Sequence, residues 1–227
     1  MLYRACIFDL DGTLANTLNS IASFSNRALR ECGYPEIEAD RYRHIVGNGV
    51  SVQLHRMMDI VCPNGWKEAE MLKVRRLYEK YYSEQPLLNI SNYPGVPQLL
   101  QNLRKCGIKT AVFSNKPDEW AKSVINGLFP SGTFNAIRGK QDGVPCKPAP
   151  DGALLLMKEL HVTPKQCLYI GDTATDMQTG NAAGMDTIGV LWGFRDREEL
   201  KSANAGMIAS DPAQILDAAQ HGLQKTA

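Results

Sequence analysis

Arg4-Ala5-Cys6-Ile7-Phe8-Asp9-Leu10-Asp11-Gly12-Thr13-Leu14 is the stretch that decides the fold. A short apolar run that ends in acidic residues and a glycine reads as a buried strand followed by a turn, here a strand over residues 4–10. Behind it the periodicity changes. Ile21, Phe24, Ala28 and Leu29 fall at helical spacing, and Gly33 with Pro35 beyond marks the stop. From Ile37 to Tyr82 the spacing stays helical with no strand, interrupted at Gly47-Asn48-Gly49 and at Cys62-Pro63-Asn64-Gly65. The stretch 66–82 places Met71, Val74, Tyr78 and Tyr81 on one side and Lys73, Arg75 and Arg76 on the other, a solvated basic face rather than a nucleic-acid surface.

Pro86, Pro94, Gly95 and Pro97 break the pattern again, and beyond them strands and helices alternate. The expected helices span 98–106, 119–126, 151–160, 175–183 and 212–223. The expected strands span 108–113, 134–137, 166–170, 187–191 and 206–209, with a proline-rich loop at 145–150. Such alternation predicts an α/β fold, a Rossmann-like parallel sheet with helices on both faces. The first strand belongs to that sheet. Residues 1–14 and 84–227 therefore form a discontinuous core, and 15–83 form a helical insertion.

Composition narrows the class of protein. The chain has 227 residues, and 25 Lys+Arg against 24 Asp+Glu leave a formal charge of +1, without the basic excess of a dedicated nucleic-acid binder. Hydrophobic residues at 44% and charged residues at 22% are those of a globular chain, which excludes extensive disorder. No stretch approaches the roughly 18 apolar residues of a membrane span. The apolar run at 5–8 is too short for the core of a signal peptide, so the expected location is cytoplasmic. Cys6, Cys32, Cys62, Cys106, Cys146 and Cys167 include no C-x-x-C pair, so reduced cysteines are expected and no structural zinc site. His44, His55, His161 and His221 are scattered.

In open parallel sheets, ligands bind beyond the carboxyl ends of the strands. Those ends carry Asp9, Asp11, Gly12 and Thr13, then Ser114 and Asn115, then Gly171-Asp172 through Asp176, while the proline-rich loop adds Lys147. Clustered carboxylates raise one another's pKa unless a cation lies between them, and oxygen-only ligands select a hard ion such as Mg²⁺. A single D-x-D-G is often only a turn. It is no EF-hand loop, because Leu14 and Ser20 occupy the glycine and glutamate places. Gly47-Asn48-Gly49 lacks the third glycine and the preceding strand of a dinucleotide site, and no P-loop is present.

Taken together and in this order, the motifs resemble those of the haloacid dehalogenase-like (HAD) phosphohydrolases over essentially the whole chain. Phe8 to Leu14 is similar to the first motif, Ser114-Asn115 to the second, Lys147-Pro148 to the third, and Gly171-Asp172 through Asp176 to the fourth. The insertion resembles the helical cap of the phosphoglycolate phosphatase-like branch, and His44 to Val50 its substrate-facing loop. Asn16 departs from that branch, which commonly has an acidic residue there.

The resemblance implies an aspartyl-phosphate mechanism. Asp9 would be the nucleophile, Asp11 the general acid and base, and Lys147 the cation stabilising nucleophile and phosphate. Mg²⁺ would be held by the Asp9 side chain, the Asp11 backbone carbonyl and Asp172, with Asp176 behind them. Thr13, Ser114, Asn115, Lys147, Gly47 and Asn48 would bind substrate, with His44 a further candidate. The implied activity is a Mg²⁺-dependent phosphatase acting on a small phosphorylated metabolite, best represented by 2-phosphoglycolate, with neither nucleic acid nor membrane as partner. Pyrophosphatase, sugar-phosphate phosphatase, nucleotidase and phosphoglucomutase-like activities remain open, as does a catalytically silent binding protein. The presence of Asp11 argues against a dehalogenase.

Overall fold

The computed structural model describes residues 3–223. Its elements in chain order begin with β1 (Ala5–Phe8), β2 (Ala15–Asn16), α1 (Leu18–Glu31), α2 (Tyr42–Ile45), α3 (Val50–Val61), α4 (Glu68–Glu84) and β3 (Ser91–Asn92). The rest alternate: α5 (Val96–Lys105), β4 (Lys109–Pro117), α6 (Asp118–Leu128), β5 (Ala136–Lys140), α7 (Asp151–Glu159) and β6 (Cys167–Gly171). Last come α8 (Ala174–Ala182), β7 (Asp186–Val190), α9 (Arg197–Ser202), β8 (Met207–Ala209) and α10 (Pro212–His221).

Six strands form one parallel sheet in the order β5-β4-β1-β6-β7-β8, so the first strand lies inside it. Both faces are covered, which is why β1 is buried at every residue. Cys6 and Phe8 face a cluster completed by Leu99, Leu103, Val124 and Ile215 of α5, α6 and α10. Ala5 and Ile7 face the opposite cluster with Ala153, Leu156 and Met157 of α7. The two-residue alternation of a strand sorts the side chains this way.

Register positions the site. Phe8 pairs with Val112 on one side and Ile170 on the other. The ends of β1 and β6 therefore lie level with the point where β4 parts from β1, which brings Asp9, Ser114-Asn115 and Asp172 to a common edge.

The helices α1 to α4 bury a cluster of their own, including Phe24, Leu54, Met57, Val74 and Tyr82. Phe24 meets Tyr82 edge to face at 5.5 Å. An antiparallel ribbon of β2 and β3 closes the stem where this layer joins the sheet. Aromatic contacts bind the layer to the core, since Tyr82 of α4 stacks on Trp120 of α6 with centroids 4.3 Å apart.

Several elements differ from expectation. The strand expected at 108–113 continues to Pro117, because the polar residues at its end are buried against partners, as described below. The short strand expected at 134–137 lies at Ala136–Lys140. The ribbon and α9 carry no periodic signal, with only Leu200 buried in α9. What starts α9 is local chemistry: the Asp196 carboxylate accepts a hydrogen bond from the Glu199 N–H at 2.9 Å. The last helix ends at His221 rather than 223.

Candidate active site

The sheet edge brings together three carboxylates. Oxygens of Asp9, Asp172 and Asp176 lie within 4.8 Å of one another, and all three residues are buried. Lys147 bridges two of them, its Nζ donating to Asp9 Oδ1 and Asp176 Oδ1, each at 2.7 Å. Asp172 accepts from the Thr13 hydroxyl at 3.0 Å and from the Phe194 N–H at 2.8 Å. Asp176 sits in the first turn of α8, where its Oδ2 accepts from the Thr173 N–H and hydroxyl, the reciprocal arrangement of a capping box.

Gly12 makes this packing possible. Its φ of 91° lies in the left-handed region, and a Cβ there would come within 2.2 Å of an Asp172 carboxylate oxygen. Only glycine allows the turn after β1 to pass so close to the carboxylate.

Asp11 stands apart from the trio. Its carboxylate accepts from Lys116 Nζ at 2.9 and 3.0 Å and from the Thr17 hydroxyl at 2.7 Å. The Asn115 amide ties the proline-rich loop to β4: its Oδ1 accepts from the Lys147 N–H at 2.8 Å and its Nδ2 donates to the Lys147 carbonyl at 3.1 Å. That pairing fixes where Lys147 enters the site.

Burial shapes the titration. It pushes the Asp172 carboxyl up to about 7, the neighbouring Asp176 charge adds to this, and the Phe194 N–H partly opposes it. Burial likewise raises Asp9 well above the usual carboxylate range, with Asp176 adding and Lys147 opposing. For Lys147 burial pulls downward, but the Asp176 and Asp9 charges override it and hold the ammonium firmly protonated. With every group ionised, four carboxylates (Asp9, Asp11, Asp172, Asp176) face two ammonium groups (Lys116, Lys147), a deficit of two positive charges. An all-oxygen donor set with that deficit suits a hard divalent cation.

A small cavity of about 40 Å³ lies over the edge, between Asp9, Asp11, Ser114 and Asn115 below and Val46, Gly47, Gly49, Val50 and Gln53 above. Gly47 is held there, its carbonyl accepting from Asn115 Nδ2 at 3.4 Å. The neighbouring Val46 carbonyl accepts from Arg195 Nη2 at 3.0 Å.

The expected substrate ligands are only partly brought to the cavity. Ser114, Asn115 and Gly47 line it, and Lys147 reaches Asp9 beneath. Thr13 does not: its hydroxyl donates to Asp172 and its carbonyl accepts from Trp192 Nε1, so it orients a carboxylate instead. Asn48 is also turned away. Its Nδ2 donates to the Thr175 hydroxyl at 2.9 Å and its Oδ1 accepts from Arg56 at 3.0 Å, which makes it a clasp between helical layer and sheet edge. His44 is exposed, with its carbonyl accepting from Arg56, and it is not among the cavity residues. Sequence reasoning missed Lys116, Thr17 and Trp120. The available signal for Lys116 was its place directly after Ser114-Asn115, as the one charged residue in the run 110–117.

The sequence profile of the haloacid dehalogenase-like hydrolases matches residues 6–190, and the chain belongs to that family. Within it the similarity runs to one branch. A phosphoglycolate phosphatase of Aquifex aeolicus is 32% identical over 191 residues, covering 84% of this chain and 86% of the relative. A phosphoglycolate phosphatase of Haemophilus influenzae is 32% identical over 213 residues, covering 92% and 95%. A crystal structure of a predicted phosphoglycolate phosphatase from Haemophilus somnus superposes with a TM-score of 0.89 at 28% identity, covering 96% of this chain and 98% of that one. By class the chain is thus a phosphoric monoester hydrolase of the phosphoglycolate phosphatase-like branch. Among the described residues, no helix is long and apolar enough to cross a membrane.

Proposed function

We propose that the chain hydrolyses a small phosphomonoester, with 2-phosphoglycolate the best candidate, through a phosphorylated Asp9. The observation that carries this reading is Asp9 itself. It lies at the floor of the cavity, anchored through one oxygen by Lys147, with Asp11 lining the same space.

In the first step an Asp9 carboxylate oxygen bonds to phosphorus as the bond to the ester oxygen breaks, and Asp11 gives a proton to the departing alkoxide. In the second, water attacks the phosphorus of the aspartyl-phosphate, Asp11 takes its proton, and inorganic phosphate leaves as Asp9 is regenerated. Lys147 offsets the charge of a carboxylate approaching a phosphate dianion. Ser114 and the Asn115 backbone, which line the cavity, would bind phosphoryl oxygens. Asp9, Asp172 and the Asp11 carbonyl would hold Mg²⁺, which when bound supplies further charge neutralisation at the phosphoryl group. Asp176 supports Lys147, and the helical layer over residues 15–83 acts as a cap that keeps bulk water out. The small cavity supports a small leaving group.

Asp9→Asn should abolish phosphate release from 2-phosphoglycolate while the thermal melt stays close to wild type. A variant that still turned over would remove Asp9 from the nucleophile's place. Chelation by EDTA should silence the wild-type enzyme and added Mg²⁺ should restore it.

A further inference from the structure

The cavity is chemically lopsided. Its floor is carboxylate and amide, whereas Ile21, Val46, Val50 and Tyr78 make the upper wall largely apolar. One cation borders the space between them. Lys116 is only 7% exposed, lines the cavity, and holds its Nζ 4.9 Å from the centre of the Tyr82 ring.

The two buried lysines are not equivalent. Lys147 divides its ammonium between Asp9 and Asp176. Lys116 has one carboxylate partner, Asp11, and open space beside it. An ammonium carries three donors, and a single carboxylate with two oxygens leaves at least one unengaged. Orienting Asp11 does not by itself call for a buried charge, because the Thr17 hydroxyl already donates to the same carboxylate at 2.7 Å. Burying an ammonium is costly unless charge partners compensate it, so a second anion on this side of the cavity would complete its surroundings.

We propose that Lys116 recognises a carboxylate carried by the leaving alcohol, and so makes the enzyme selective for phosphomonoesters of small hydroxy acids. The inference rests on the phosphatase reading above, in which Asp11 touches the ester oxygen. Lys116 Nζ lies within 3.0 Å of Asp11, so an anion that it binds sits only a few bonds from that oxygen. A carboxylate on the adjacent carbon meets this geometry. The small, partly apolar cavity disfavours a second, bulkier phosphate.

The test is a ratio of kcat/KM values for 2-phosphoglycolate and 2-hydroxyethyl phosphate, which differ in carboxylate against hydroxymethyl. Ethylene glycol bisphosphate serves as a third substrate. Wild type should prefer 2-phosphoglycolate over the neutral ester by about 10- to 100-fold, the range of one charge-assisted hydrogen bond. Lys116→Met should bring the ratio toward one, with the selective loss appearing in KM, and Lys116→Arg should keep most of it. Equal losses on both substrates in Lys116→Met would show that Lys116 serves Asp11 alone and would overturn the proposal. Preference of wild type for the bisphosphate would overturn the carboxylate assignment. Inertness of wild type toward all three substrates and p-nitrophenyl phosphate would instead sink the phosphatase reading, and this inference with it. A readout that needs no variant is competitive inhibition of wild type by glycolate but not by ethylene glycol. Equal inhibition by both would also overturn the proposal.

Discussion

At the residue scale, the site depends on how closely a turn can approach a carboxylate. Gly12 meets Asp172 at a distance no Cβ tolerates, and its φ of 91° adds strain for any other residue. Gly12→Ala should therefore cost about 1–2 kcal/mol from the left-handed backbone alone. It should also displace Asp172 from Thr13 and the Phe194 N–H, lowering kcat/KM by more than tenfold. Phosphate release together with the melting-temperature gain on adding Mg²⁺ checks this, and an unchanged gain would mean that Asp172 had not moved. The same scale shows what a motif conveys. Asp9, Asp11, Lys147 and Asp172 were legible because each sits where a strand end or the proline-rich loop must place it. The contacts of Thr13 and Asn48 were not, because a hydroxyl or amide takes whichever partner the packing presents.

At the element scale, the end of β4 and the start of α8 carry the arrangement. β4 keeps Ser114, Asn115 and Lys116 buried beyond the apolar run, since Asn115 satisfies the Lys147 backbone and Lys116 satisfies Asp11. Hydrophobic periodicity does not register a strand whose last residues are held by long-range polar partners, so the expected strand stopped at Phe113. The parallel sheet was legible for the opposite reason, because β1 and β6 are near-continuous apolar runs. In α8 the Thr173 cap and Asp176 hold each other, and Asp176 in turn holds Lys147. Thr173→Ala should cost about 1 kcal/mol, the usual loss for a helix cap, read as a lower denaturation midpoint at unchanged slope. Because it removes the hydroxyl donor to Asp176, it should also reduce turnover of 2-phosphoglycolate. A stability loss without any effect on turnover would separate the cap from the site.

At the scale of the whole molecule, a nearly neutral chain concentrates negative charge at one buried point. In the cation-free protein the Asp172 carboxyl titrates near 7 against an ordinary value of 3.8. The folded chain thus keeps a proton that the unfolded chain releases. Its stabilising contribution is full below about pH 4 and is lost as pH rises to about 7. A bound divalent cation takes over the proton's role, so the gain in melting temperature from Mg²⁺ should be larger at pH 8 than at pH 5. Equal gains at both would contradict the charge deficit derived for the site.

The sequence by itself determined the α/β class, the helical run after the first strand and the residues that gather at the sheet edge, because local periodicity and strand-end chemistry are properties of contiguous residues. It did so even for the family resemblance, which rests on four short motifs in order. Only the tertiary structure decided how the two layers meet: the Asn48–Thr175 clasp, the Tyr82–Trp120 stack, and above all the pairing of Lys116 with Asp11, 105 positions away in the chain. The physical reason is that a buried charge is tolerable only beside its partner. Sequence spacing does not encode that proximity; folding brings the partners together.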